Sequence, residues 1–125
     1  MNHREEIIKN YIDAYNNFDV DRMVRDFDES IRFENITAGK TTLIIEGLEN
    51  FRMQAEQAKK IFLKRKQTIK SFKHSKNQTE IEITYSAHVA ADLPGGLRKG
   101  DTLNLTGQSV FKFAGNKIVQ LTDIS

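Results

Sequence analysis

The stretch Leu103 to Ile124, LNLTGQSVFKFAGNKIVQLTDI, decides the fold. Leu103, Leu105, Ser109, Phe111 and Phe113 alternate with Asn104, Thr106, Gln108 and Lys112. After Ala114-Gly115-Asn116 the alternation resumes at Val119, Leu121 and Asp123. A period of two marks strands with one buried face, and the turn residues between the two runs fold them back as a hairpin. The inward row ends in a carboxylate. If Val119 and Leu121 face the core, Asp123 does too, and an ionised group there needs a partner or a chemical task.

The strand that feeds this hairpin, from about Thr102 to Phe113, is roughly twice the common strand length, and Gly107 inside it predicts a bulge that bends the sheet. Leu93-Pro94-Gly95-Gly96 supplies the turn before it, with proline and glycine where a type II turn needs them. Further upstream, Lys64 to His74 and Glu80 to Ala91 read as an antiparallel pair around Ser75-Lys76-Asn77-Gln78, with Ile81, Ile83 and Tyr85 on one face.

The N-terminal half changes period. Ile7, Ile8, Tyr11, Ile12, Tyr15 and Phe18 recur at three- and four-residue spacing, the signature of an amphipathic helix ended by Asn16-Asn17. Asp19 is placed to cap a second, short helix whose apolar stripe is Val20, Met23, Val24 and Phe27. From Ser30 the period is two, with Ile31, Phe33 and Asn35 on one face. A polar turn at Thr37 to Thr42, a short apolar run from Leu43 to Ile45, and a third helix after Gly47 follow. That helix carries Leu48, Phe51, Ala55, Ala58 and Phe62 as its stripe. Helix, helix, strand, helix and then an antiparallel meander is an α+β order, with helices gathered on one face of a curled sheet.

Composition bounds the function. A chain of 125 residues with 38% hydrophobic and 29% charged residues reads as one globular domain, residues 1–125. No apolar run approaches a membrane span, and Met1 to Asn10 is charged where a secretion signal needs an apolar core, so a cytoplasmic protein is expected. Zero cysteines remove disulfides, thiolate nucleophiles and cysteine-based zinc sites. His3, His74 and His88 fall on separate elements without paired spacing, so no metal or other cofactor is expected. Lys59, Lys60, Lys64, Arg65, Lys66, Lys70, Lys73 and Lys76 form an acid-free run; setting these 8 aside leaves 11 basic against 17 acidic residues. No aromatic interleaving or nucleic-acid motif accompanies the run, so it is read as a helix terminus and a solvated strand face, not a nucleic-acid or membrane surface.

The passage Tyr11 to Asp21, the strand Phe27-Asp28-Glu29-Ser30-Ile31-Arg32-Phe33-Glu34-Asn35, Gly47 opening the third helix, and the hairpin Val110 to Ile124 together resemble the NTF2-like superfamily and, within it, the SnoaL-like group. The resemblance spans nearly the whole chain. It implies a cone-like roll, as in cystatin-like folds, whose curled mixed sheet wraps a long N-terminal helix. A pocket opens between them, and a homodimer forms through the outer sheet face. Val110 and Ile118 are assigned to that outer face.

Three chemistries of the superfamily are tested against these positions. Ketosteroid isomerases are similar in Tyr11, but their base aspartate is replaced by Asn35 and their second acid by Ser109. Limonene-epoxide-hydrolase-like members are similar in Asn35 and Asp123, whereas Phe33 stands for their tyrosine, and Ser86 and His88 stand where an arginine and an aspartate are needed. SnoaL-like cyclases are similar in requiring little more than one pocket aspartate. The resemblance therefore implies a small hydrophobic or oxygenated ligand, Asp123 as general base, Asn35 as its positioning group, and His88 as an acid if a bulge turns it inward. Plain alternation with Tyr85 turns His88 outward instead. Tyr11, Tyr15, Phe27, Phe33, Phe51, Tyr85, Ser109, Phe111 and Leu121 are the expected pocket wall, and burial among such aromatics raises a carboxyl's pKa. The alternative is a non-catalytic ligand-binding or dimerisation domain in which Asp123 only accepts hydrogen bonds.

Overall fold

Ile7, Ile8, Tyr11, Ile12 and Ala14 are buried on one face of the first helix, α1 (Asn2–Asn16), which is the face their spacing prescribes. The computed structural model describes residues 2–93 and 96–125. Helix α1 ends in a Schellman arrangement: Asp19 N–H donates to the Ala14 carbonyl at 2.9 Å and Phe18 N–H to the Tyr15 carbonyl at 3.2 Å. The residue that must turn left-handed there is Phe18, at φ 57°, where glycine is the usual choice. Asp19 then caps α2 (Val20–Met23), its Oδ1 accepting from Arg22 N–H at 3.2 Å.

Six strands follow: β1 (Phe27–Thr37), β2 (Lys40–Glu46), β3 (Phe62–His74), β4 (Gln78–Val89), β5 (Thr102–Ala114) and β6 (Lys117–Ile124), with α3 (Leu48–Ala58) between β2 and β3. They form one mixed, open sheet in the order β2-β1-β6-β5-β4-β3. The pair β1 and β6 is parallel and every other pair is antiparallel. Gly47 at φ 92° makes the turn from β2 into α3, and its N–H donates to the Ile31 carbonyl at 2.8 Å. The core runs from α1 across the concave face, with Ile8, Ile31, Ile81, Phe111, Ile118 and Leu121 fully enclosed. This is the curled α+β roll expected from the element order.

The structure departs from the sequence reading in five places. Phe27 opens β1 instead of closing the α2 stripe, because the strand already pairs with β6 there, Phe27 opposite Ile118. Phe62 likewise starts β3 and does not finish α3. Gly107 carries no bulge: β4 and β5 stay in register through Ile83 opposite Gly107. Its role is close approach, since a Cβ there would sit 2.8 Å from the Ile124 carbonyl oxygen. The slip between β5 and β6 comes at Lys112/Phe113, which leaves Val119 without an opposite residue and swings Ile118 into the core. Ile118 is thus removed from the outer face to which strict alternation assigned it. Finally, Arg65 is buried although it stands in the basic run, while its seven lysine companions stay exposed. The turn read over Leu93 to Gly96 includes Pro94 and Gly95, which lie outside the described residues.

Candidate functional site

The register of three adjacent strands builds the site. Asp123 on β6 stands opposite Asn35 on β1 and opposite Ser109 on β5, so alternation on each strand turns all three side chains to the concave face. Ser109 is buried, and its hydroxyl donates to Asp123 Oδ1 at 2.7 Å. Asp123 as a whole residue is half-buried. Burial pushes the pKa of its carboxyl up to about 6, and the Ser109 hydrogen bond pulls the other way.

Around this carboxyl lies a cavity of about 200 Å³. Tyr15, Asn35, Gln67, Tyr85, Ser109 and Asp123 give it polar groups, while Phe62, Ile83 and Leu105 supply apolar wall. The Tyr15 and Tyr85 hydroxyls pair at 3.1 Å, which uses one of their two protons and leaves the other to donate elsewhere. Burial raises the pKa of Tyr11, Tyr15 and Tyr85, and the Asp123 charge adds to the rise in each. These phenols therefore remain neutral donors, close enough to the carboxylate to feel it.

Of the residues read from the sequence, Asp123, Asn35, Ser109, Tyr15 and Tyr85 come together in the cavity. Asn35 does not touch Asp123 by hydrogen bond; its amide donates to Thr42 Oγ1 at 2.8 Å and Thr37 Oγ1 at 3.2 Å. Tyr11, Phe27, Phe33, Phe51, Phe111 and Leu121 belong to the packed interior and not to the cavity wall. Their rings fill that end of the roll: Phe51 meets Phe27 edge-on at 4.9 Å and Phe33 at 5.7 Å, and Tyr11 stacks on Phe27 at 5.6 Å. His88 lies exposed on the opposite face, its Nδ1 3.2 Å from Thr102 Oγ1. With no bulge in β4 near Tyr85, strict alternation holds and His88 is not part of the site.

Sequence reasoning missed Gln67 and Arg65. Both sit on the inward row of β3, between the outward Lys64, Lys66 and Thr68. Gln67 is bolted to the end of α1: its N–H donates to Asn16 Oδ1 at 2.7 Å, and Asn16 Nδ2 donates to its carbonyl at 3.1 Å. Arg65 lies 3.7 Å over the Tyr15 ring and 4.5 Å from that of Phe18, and its Nε donates to the Tyr15 carbonyl at 2.8 Å. Extending the β3 alternation through the basic run would have placed both inward.

A second acid–imidazole–hydroxyl line occurs elsewhere. Glu5 Oε2 is 2.6 Å from His74 Nε2, and His74 Nδ1 is 2.9 Å from Thr79 Oγ1. Thr79 is fully buried, so no substrate reaches its hydroxyl, and the line is a tether between α1 and the sheet. Among the described residues, no three His, Asp or Glu side chains gather as metal ligands. No described helix is long and apolar enough to cross a membrane.

Comparison with known proteins gives the family and the fold. The profile of a family described as the SnoaL-like domain matches residues 8–121. Solved structures similar to the chain include a candidate SnoaL-like polyketide cyclase from Jannaschia sp. CCS1, with a TM-score of 0.80 at 10% identity, covering 98% of this chain and 84% of that one. AclR, a candidate hydroxylase from Streptomyces galilaeus, has a TM-score of 0.77 at 16% identity, with 98% and 88% covered. An uncharacterised cystatin-fold protein from Novosphingobium aromaticivorans has a TM-score of 0.74 at 20% identity, with 96% of each chain covered. At such identities these likenesses speak to the fold alone. No curated protein matches the sequence.

Proposed function

Because the chain belongs to the SnoaL-like domain family, we propose that it binds a small oxygenated molecule in the β1–β6–β5 cavity and that Asp123 acts on it as general base. One observation carries this reading: a carboxyl raised to about 6 by burial, at the wall of a cavity, with neutral phenols beside it. A base poised near the working pH combines sufficient ionisation with useful basicity. In the step that fits, the Asp123 carboxylate takes a proton from a carbon next to a substrate carbonyl. The C–H electron pair moves toward the carbonyl oxygen, and the Tyr85 O–H donates to that oxygen as charge builds. Return of the proton from Asp123 to another carbon completes an isomerisation; alternatively the enolate attacks a second carbonyl of the same molecule, whose C=O electron pair becomes an alkoxide, and Asp123 returns its proton to that oxygen to complete a cyclisation. The neighbour named as a polyketide cyclase motivates carbonyl-rich substrates.

Screening epoxides, lactones and short polyketide-like carbonyls by NMR, with Asp123→Asn as control, tests the reading. Turnover should require the carboxylate, and an Asp123→Asn protein with undiminished turnover would sink it. A second reading, a non-catalytic ligand-binding or dimerisation domain, is favoured by the internal engagement of the Asn35 amide and the Tyr15 hydroxyl. Under it the same substitution changes stability or ligand affinity only. In either reading the protein acts as a homodimer through its outer sheet face, where Val110 is half-buried. Light scattering at micromolar concentration should report twice the 14.4 kDa chain mass; a monomer refutes this.

A further inference from the structure

Among the described residues, Gln67 Oε1 is the buried side-chain polar atom that has no hydrogen-bond partner. Gln67 is 7% exposed and lines the cavity. Its backbone is fixed by Asn16 on both sides. The Tyr15 hydroxyl pairs with that of Tyr85, and neither it nor any other donor stands within hydrogen-bond geometry of Gln67 Oε1. A buried amide oxygen without a donor is costly, and such atoms in folded proteins call for an explanation. The cavity gives one: the missing donor arrives with the ligand.

Size narrows the class. An apolar cavity of about 150 Å³ accepts benzene, and this one, at about 200 Å³, has room for one six-membered ring with small substituents. Phe62, Ile83 and Leu105 provide the faces that a ring packs against. Resting on the reading of the cavity as the ligand site, we propose that it takes a monocyclic ligand bearing a hydroxyl or N–H, and that Gln67 Oε1 accepts that hydrogen and so determines specificity. Larger polycyclic molecules are excluded from full enclosure.

Asp123 is a competing acceptor in the same cavity, so the test must separate the two. Phenol and anisole share a ring and differ in the donor; each is titrated into the ¹⁵N-labelled full chain, as wild type, Gln67→Leu, Gln67→Met and Asp123→Asn. The amide spectrum of each variant reports whether it is folded, and two substitutions at Gln67 guard against loss of one. Wild type and Asp123→Asn should bind phenol about tenfold more tightly than anisole, the worth of one satisfied buried acceptor. Both Gln67 variants should lose that preference while keeping their affinity for anisole. Equal binding of the two probes by wild type would mean that water satisfies Gln67, and would overturn the proposal. Loss of the preference in Asp123→Asn alone would assign the donor to Asp123 and overturn it too. Binding of neither probe at millimolar concentration would overturn the ring-sized assignment. None of these outcomes depends on turnover, so the general-base reading stands or falls separately.

Discussion

The Ser109 hydroxyl donates to Asp123 Oδ1 across 2.7 Å, and this bond opposes the effect of burial on the carboxyl. Burial favours the neutral acid; a donated hydrogen bond favours the anion. Removing the hydroxyl leaves burial unopposed. Ser109→Ala should therefore raise the Asp123 pKa above about 6, read by carboxyl ¹³C NMR with Asp123→Asn for assignment. If Asp123 is the base, activity in wild type rises with pH through that value, and the rise in Ser109→Ala moves to higher pH. An unmoved or lowered carboxyl pKa would mean that Ser109 does not tune it.

Asp123 also links stability to pH. Its folded-state pKa of about 6 stands above the ordinary unfolded value of about 3.9. The native state therefore holds a proton that the unfolded chain releases between those values, and stability falls as pH rises from about 4 to about 6. Above pH 6 the penalty is complete and constant; below pH 4 it is absent. Asp123→Asn removes the charge and keeps an oxygen for Ser109 to donate to. The variant should be more stable than wild type at pH 8 by about 1–3 kcal/mol, with the gap closing near pH 4. Urea unfolding at the two pH values measures it. A variant less stable at pH 8 would show that the carboxylate is held by favourable contacts and not strained by desolvation.

Gly107 sets how closely the end of β6 lies against β5. A Cβ at Gly107 would be 2.8 Å from the Ile124 carbonyl oxygen, a backbone atom that cannot rotate away. Gly107→Ala should cost about 1–3 kcal/mol and push β6 outward at the residue next to Asp123. Amide shifts at Asp123 and Ile124, with the unfolding midpoint, report both effects. An unchanged midpoint would mean that the two strands separate without cost.

The hairpin from Leu103 to Ile124 was legible because period two survives wherever one face is buried. It put Ser109, Phe111, Leu121 and Asp123 on the inner face as the structure has them. Alternation failed at Val119, where one unpaired residue reverses the faces and carries Ile118 inward; no residue type marks that position. The aromatics were read correctly as inward, but period says nothing of depth. Phe27, Phe33 and Phe51 pack together beside α3 and take no part in the cavity, whose wall includes Leu105 and Ser125. Arg65 and Gln67 were hidden by composition, since an arginine between lysines reads as solvated surface unless the strand's parity is followed through it.

Arg65 makes the last prediction. Its guanidinium sits over the rings of both Tyr15 and Phe18 and its Nε donates to the Tyr15 carbonyl at the end of α1, so it caps the helix and braces the cavity tyrosine together. Lysine cannot stack in this way, and Arg65→Lys should cost about 1–3 kcal/mol by chemical denaturation. The left-handed backbone of Phe18 is strained, at φ 57°, and its ring on Arg65 compensates. The two residues should therefore couple. With Arg65 intact, Phe18→Gly relieves the backbone but forfeits the stack and the ring's burial. In an Arg65→Ala background the stack is already gone, so the same change should be less costly, or stabilising, by about 1 kcal/mol relative to its effect in wild type. Equal effects of Phe18→Gly in both backgrounds would mean that the strain is carried by the helix end alone.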